Sequence, residues 1–122
     1  MDRSEVARRG EDAAAAFLTR IGMTVVDRNW RCSTGEVDIV ARDEADLVFV
    51  EVKTRRSERA GTAEEAVSLT KQRRIARLAH AYLRDSPDLD YDQVRFDVVA
   101  IRVIAPDRAL LRHYRAAFQV PS

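Results

Sequence analysis

Asp38, Glu51 and Lys53 lie in two short alternating runs, 36–42 (EVDIVAR) and 47–53 (LVFVEVK), separated by the polar tetrad 43–46 (DEAD). Alternating runs about a short polar loop read as a β-hairpin, here with a four-residue connection. Pairing Arg42 with Leu47 sets Ala41 opposite Val48, Ile39 opposite Val50 and Val37 opposite Val52, an apolar face for the core. The same register puts Val40 opposite Phe49, Asp38 opposite Glu51 and Glu36 opposite Lys53 on the other face. Directly opposed carboxylates, with Cβ atoms ~4.5–5.5 Å apart, repel one another, so a positive group is expected between them. Carboxylate oxygens are hard ligands that suit Mg²⁺ or Mn²⁺, ions that combine a few protein carboxylates with water and substrate phosphate. Such an ion would offset the repulsion, polarise a phosphate oxygen and acidify a bound water. Lys53 could orient that water or neutralise charge in the transition state. Phosphodiester hydrolysis needs that inventory. The same residues also make an ordinary solvated hairpin face with a weak Glu36–Lys53 ion pair, and spacing alone leaves both readings open.

The elements that must position these side chains begin with a helix over 4–21, capped by Ser4 and closed by Gly22. Its apolar stripe of Ala14, Phe17, Leu18 and Ile21, extended backwards at helical spacing, reaches Glu11, Gly10 and Ala7. Glu11 therefore faces inward, either toward the hairpin or as an acid favoured by the first turns of the helix. A second helix over 71–85, capped by Thr70 and stopped by Pro87, packs through Ile75, Leu78, Ala79 and Tyr82. Gln72 borders that packed side, which aims its amide toward the sheet, while Arg73, Arg74 and Arg77 lie on other faces. The remaining segments read as a strand over 23–31, a turn at 33–35, a polar loop over 57–61, a short turn after Thr62, and an acidic loop over 88–92. The very apolar strand 94–104 follows, then a turn at 106–108 and a last strand over 110–118. A strand, a crossover helix and a strand imply a parallel pair with right-handed connection, so the class is α/β with a mixed sheet.

With 122 residues and 46% hydrophobic content, the chain suits a single domain over 1–122 with a real core. The net charge is only +1, but residues 53–77 carry eight basic side chains against three acidic ones, a local +5. Arg55, Arg56, Arg73, Arg74 and Arg77 in this segment are what a phosphate-tracking groove needs, and equally what a soluble helix surface carries. Cys32 is the only cysteine, which excludes an internal disulfide and a cysteine-rich metal centre and fits a reducing compartment. No signal-peptide pattern and no membrane-length apolar run is present, so a cytoplasmic protein without a membrane partner is expected. His80 and His113 lack partners at metal spacing and read as structural or surface residues, and Trp30 as packing.

Gly10-Glu11, Arg28-Asn29, Gly35-Glu36-Val37-Asp38, the run 49–55 (FVEVKTR), Lys71-Gln72 and the run 95–99 (RFDVV) stand in one order along the chain. Together they resemble the YraN family of small bacterial proteins, which is similar to the PD-(D/E)xK nuclease superfamily that includes Holliday-junction resolvases. The resemblance spans roughly 5–118. It implies a restriction-endonuclease-like core of helix, three antiparallel strands, crossover helix and parallel strand. It also implies that Asp38 and Glu51 hold the metal, with the Val52 carbonyl completing the protein ligands. Lys53 would serve the attacking water, and Glu11 and Gln72 would position metal, water or phosphate. Val37 stands where the superfamily's namesake proline precedes the aspartate. The function so implied is a Mg²⁺- or Mn²⁺-dependent nuclease acting on nucleic acid, expected to be DNA, and on branched or damaged structures. A homodimer would supply the two sites that a junction requires. The alternative is a non-catalytic nucleic-acid-binding or adaptor protein that keeps the nuclease scaffold.

Overall fold

The computed structural model describes residues 2–56 and 67–119. Its elements are α1 (Arg3–Arg20), β1 (Thr24–Cys32), β2 (Gly35–Asp43), β3 (Asp46–Arg55), α2 (Leu69–Arg84), β4 (Val94–Ala105) and β5 (Arg108–Tyr114). The expected loop over 57–61 and most of the short turn after Thr62 fall outside the described residues.

Both helices begin earlier than expected because a better-placed side chain takes the first free N–H groups. Asp2 caps α1 by accepting from the Glu5 N–H at 2.8 Å, and Ser68 caps α2 by accepting from the Lys71 N–H at 3.2 Å. At the other end of α1, the Met23 N–H returns to the Leu18 carbonyl and the Gly22 N–H to Thr19. Gly22 adopts φ +101°, the left-handed conformation this cap requires.

The five strands form one sheet in the order β1-β2-β3-β4-β5. All neighbours are antiparallel except β3 and β4, which run parallel because α2 carries the chain across between them. On one face, Ala14 and Leu18 of α1 pack with Met23 onto Ile39, Ala41, Val48, Val50, Val99 and Ile101. On the other, Leu78, Ala79 and Tyr82 of α2 pack onto Val40, Leu47 and Phe49. A mixed sheet with a helix on each face is the expected α/β class and is compatible with a restriction-endonuclease-like core. No helix among the described residues is long and apolar enough to cross a membrane.

The hairpin keeps the expected register, with Arg42 opposite Leu47, Ala41 opposite Val48 and Ile39 opposite Val50. Its loop is tighter than expected. Asp43 pairs with Asp46, so only Glu44 and Ala45 make the turn, with Glu44 at φ +54°. The last strand stops at Tyr114 rather than at 118, because the Ala116 N–H turns inward to the buried Asp97 carboxylate at 2.9 Å.

One expectation fails within the core. Val37 does not share a face with Ile39 and Ala41; it packs with Val40, Phe49 and Leu78 on the α2 side. Its ladder partner Trp30 goes with it and meets Tyr82 edge-on at 5.3 Å, whereas Arg28, opposite Ile39, reaches Asp12 of α1 at 2.6 Å. Between Arg28 and Trp30 stands Asn29 at φ +53°. A left-handed residue departs from regular strand geometry, and asparagine tolerates it better than most. The β1–β2 ribbon turns over at the level of Asp38.

Candidate metal and phosphate site

The turnover places Asp38 where the hairpin opens. The β2–β3 ladder runs up to the Ile39–Val50 pair, and beyond it the Val52 N–H donates to the Asp38 carboxylate at 2.8 Å. A side-chain oxygen thus takes the role of a strand carbonyl. Burial, followed by the nearby Glu51 charge, pushes the Asp38 carboxyl up to about 7, against the opposing pull of the Val52 N–H.

Glu11 comes from α1, and Gly10 explains how it gets there. A Cβ on Gly10 would overlap the Thr54 hydroxyl, so only glycine lets the helix backbone lie this close to β3. Burial raises the Glu11 carboxyl, and a hydrogen bond with Asn29 opposes that rise. Glu36, two residues before Asp38, is held by Arg31 at 2.8 Å. Carboxylate oxygens of Glu11, Glu36 and Asp38 all lie within 4.8 Å of one another, and each residue is half-buried.

Glu51 sits beside this cluster on β3. Burial raises its carboxyl as well, with Lys53 the main opposing influence. Lys53 Nζ lies 3.5 Å and Lys71 Nζ 3.9 Å from the same oxygen of Glu51. An open cleft of about 610 Å³ borders Asp38, Glu36 and Glu51, with Arg31 and Arg74 on its walls and Cys32, Ile75 and Leu78 also lining it.

The expected site residues therefore divide. Glu11, Asp38, Glu51 and Lys53 come together, Glu11 facing inward as its helical spacing predicts. Glu36, whose expected ladder position opposite Lys53 offers a weak ion pair, joins Glu11 and Asp38, and Lys53 turns to Glu51. Its i, i+2 relation to Asp38 is the sequence signal for this, since both carboxylates emerge on one side of β2. Val52 meets Asp38 through its N–H. Gln72 donates its amide to the Val67 carbonyl at 3.0 Å, tying down the entry to α2, and the preceding Lys71 reaches Glu51. Of the expected backbone-binding arginines, Arg74 lines the cleft, Arg55, Arg73 and Arg77 are exposed, and Arg56 borders a separate groove beside Arg9 and Gly10.

A second polar centre lies apart from the cleft. Asp97, fully buried in β4, accepts from Arg95 at 2.9 and 3.0 Å, from the Ala116 N–H at 2.9 Å, and pairs with His113 at 2.7 Å. Arg95 continues to Asp43 at 2.8 Å. Burial alone would raise the Asp97 carboxyl; His113, Arg95 and the Ala116 N–H together hold it below its ordinary value. This network binds β4, β5 and the hairpin turn into one unit, and makes His113 structural, as its lack of metal spacing suggests. Asp97 is the one acid in the most apolar strand, which is the signal that marks it.

Comparison with known proteins agrees with the motifs. A model of the uncharacterised protein family UPF0102 matches residues 10–101. A UPF0102 protein of Geobacter sulfurreducens is 50% identical over 112 residues, covering 92% of this chain and 87% of its own length. One of Rhodococcus jostii is 52% identical over 109 residues, covering 89% and 92%, and one of Nocardia farcinica 45% identical over 117 residues, covering 96% and 91%. The chain belongs to the uncharacterised protein family UPF0102, the YraN family that its motifs resemble.

Proposed function

We propose that this protein is a divalent-metal-dependent nuclease that hydrolyses phosphodiester bonds in DNA. The observation that carries the reading is the convergence of Glu11, Glu36 and Asp38, with oxygens within 4.8 Å of one another, beside the Lys53–Glu51 pair. Three half-buried carboxylates this close repel one another, and a cation among them would relieve that repulsion. Their all-oxygen chemistry suits Mg²⁺ or Mn²⁺ better than softer ions. Glu11, Glu36 and Asp38 would hold the ion, with Glu51 at its flank. Such an ion supplies Lewis-acid polarisation of a phosphate oxygen and acidifies water. The chain's own residues do the rest. The Val52 N–H fixes the Asp38 carboxylate. Glu51 holds the Lys53 ammonium at 3.5 Å, ready to donate to a phosphate oxygen or to orient water. Arg31 and Arg74 on the cleft walls supply cations for the flanking backbone.

The test is cleavage of duplex, single-stranded and branched DNA by the purified protein with Mn²⁺ or Mg²⁺. Cutting that is abolished by chelation, by Asp38→Asn and by Lys53→Ala, with both variants folded, supports the reading. Cutting that survives both substitutions overturns the residue assignment. Metal-independent binding without cutting would instead favour a scaffold role.

A further inference from the structure

The chain contains 21 basic residues, and only two of them, Lys53 and Lys71, are lysines. They come from different elements, β3 and α2, yet both ammonium groups end beside Oε1 of Glu51, at 3.5 and 3.9 Å. Elsewhere the ion pairs among the described residues use arginine or histidine, as in Arg28–Asp12, Arg31–Glu36 and Arg95–Asp97. Arginine's planar fork matches a carboxylate better than an ammonium does, so ion pairing alone does not account for lysine here. An ammonium is a compact point charge on a flexible stem, suited to a small anion whose position shifts during a reaction.

The distances point the same way. Charge-assisted N–H···O contacts run about 2.7–2.9 Å, so neither lysine is tightly bound to Glu51. One carboxylate offsets one of two ammoniums, and the trio keeps a net positive charge. The trio lies next to Glu11, Glu36 and Asp38, and Arg74 adds a favourable influence on Glu51. Glu51, which borders the cleft, thus joins a group of acids suited to a cation to two ammoniums suited to an anion. One N–H of the Gln72 amide is engaged by the Val67 carbonyl.

We propose that Lys53 and Lys71 form a phosphate-binding subsite in which Lys71 contacts a non-bridging oxygen of the substrate phosphodiester and Glu51 keeps both ammoniums beside one carboxylate oxygen. The inference rests on the nuclease reading but is tested separately from it. The experiment is fluorescence anisotropy of the full chain with a short labelled DNA duplex over a salt series, using Ca²⁺ to neutralise the acids. Wild type, Lys71→Met and Lys71→Arg are compared, and thermal melts confirm folding. Lys71→Met is expected to bind about tenfold more weakly and to lower the slope of log affinity against log salt by about one. Lys71→Arg keeps the slope. If Lys71→Met does not fold, Lys71→Gln is read in the same way. An unchanged slope and affinity in the neutral variant overturns the subsite, as does Lys71→Arg losing as much as Lys71→Met. Lys71-dependent binding without any Mn²⁺-supported cutting keeps the subsite and sinks the nuclease reading. Cutting by Lys71→Met with an unaltered KM does the reverse. Wild type that binds no duplex at low salt overturns both.

Discussion

The backbone N–H of Val52 donates to the carboxylate of Asp38 at 2.8 Å, across the point where β2 and β3 part. That bond holds a desolvated acid whose charge Glu51, Glu11 and Glu36 oppose. Asp38 should therefore cost stability when no metal is bound. Its carboxyl is raised in the folded state to about 7, so the stability linked to it is present below the unfolded value of about 3.9 and is lost as pH rises toward 7. Asp38→Asn keeps an acceptor for the Val52 N–H without the charge. Denaturant unfolding of metal-free protein at pH 8 should find this variant more stable than wild type by about 1–3 kcal/mol, with the gap closing toward pH 4. A destabilised Asp38→Asn at pH 8 would contradict this.

Gly10 and Thr54 predict a packing effect that runs against helix propensity. Alanine within a helix normally gains about 1 kcal/mol over glycine. Here the new Cβ would collide with the Thr54 hydroxyl, and overpacking of this kind costs about 1–3 kcal/mol. Gly10→Ala should lower the melting temperature and weaken Mn²⁺ binding, because α1 carries Glu11 away with it. Adding Thr54→Ala should recover part of both, read by thermal melts and calorimetry.

Asp97 predicts acid sensitivity of the opposite sign. Its carboxyl is held below the ordinary value, so it contributes stability above the unfolded carboxyl pKa that is lost as pH falls through the folded value. Asp97→Ala would strand Arg95, His113 and the Ala116 N–H in the interior and should cost about 3–5 kcal/mol by urea unfolding at pH 7. That difference should shrink in acid, whereas the Asp38→Asn difference vanishes there by the other route.

Asn29 ties backbone geometry to the site. At φ +53° a glycine is unstrained and a β-branched residue is not. Asn29→Gly should fold with near wild-type stability, yet shift Glu11, whose carboxyl has lost its Asn29 partner. Asn29→Val should cost about 1–2 kcal/mol in thermal unfolding, since the β1–β2 ribbon can no longer turn over without strain.

Much of this was legible in residue order. Alternation across 36–53 identified the hairpin and its register, and helical spacing turned Glu11 inward, because both signals follow from fixed side-chain periods. The differences on the hairpin come from a break in such a period. Val37 lies on the α2 side, beside a neighbouring strand in which Asn29 is left-handed, and neither departure from alternation is marked by a propensity rule. Gln72 and Lys71 are adjacent, so an error of one residue along α2 exchanges which of them faces Glu51. Glu36 was hidden by the neat opposition to Lys53 that a regular ladder would have produced. The ladder is not regular there.

Glu11, Glu36 and Asp38 together are predicted to bind a divalent cation. Calorimetric titration of metal-free protein with Mn²⁺, paired with thermal melts, tests it most directly. Saturable binding is predicted for wild type, with stabilisation of about 2.7 kcal/mol at a hundredfold excess over Kd. Both effects should be lost in Asp38→Asn and strongly weakened in Glu36→Gln. No heat and no stabilisation in wild type, or full binding retained in Asp38→Asn, would contradict the account.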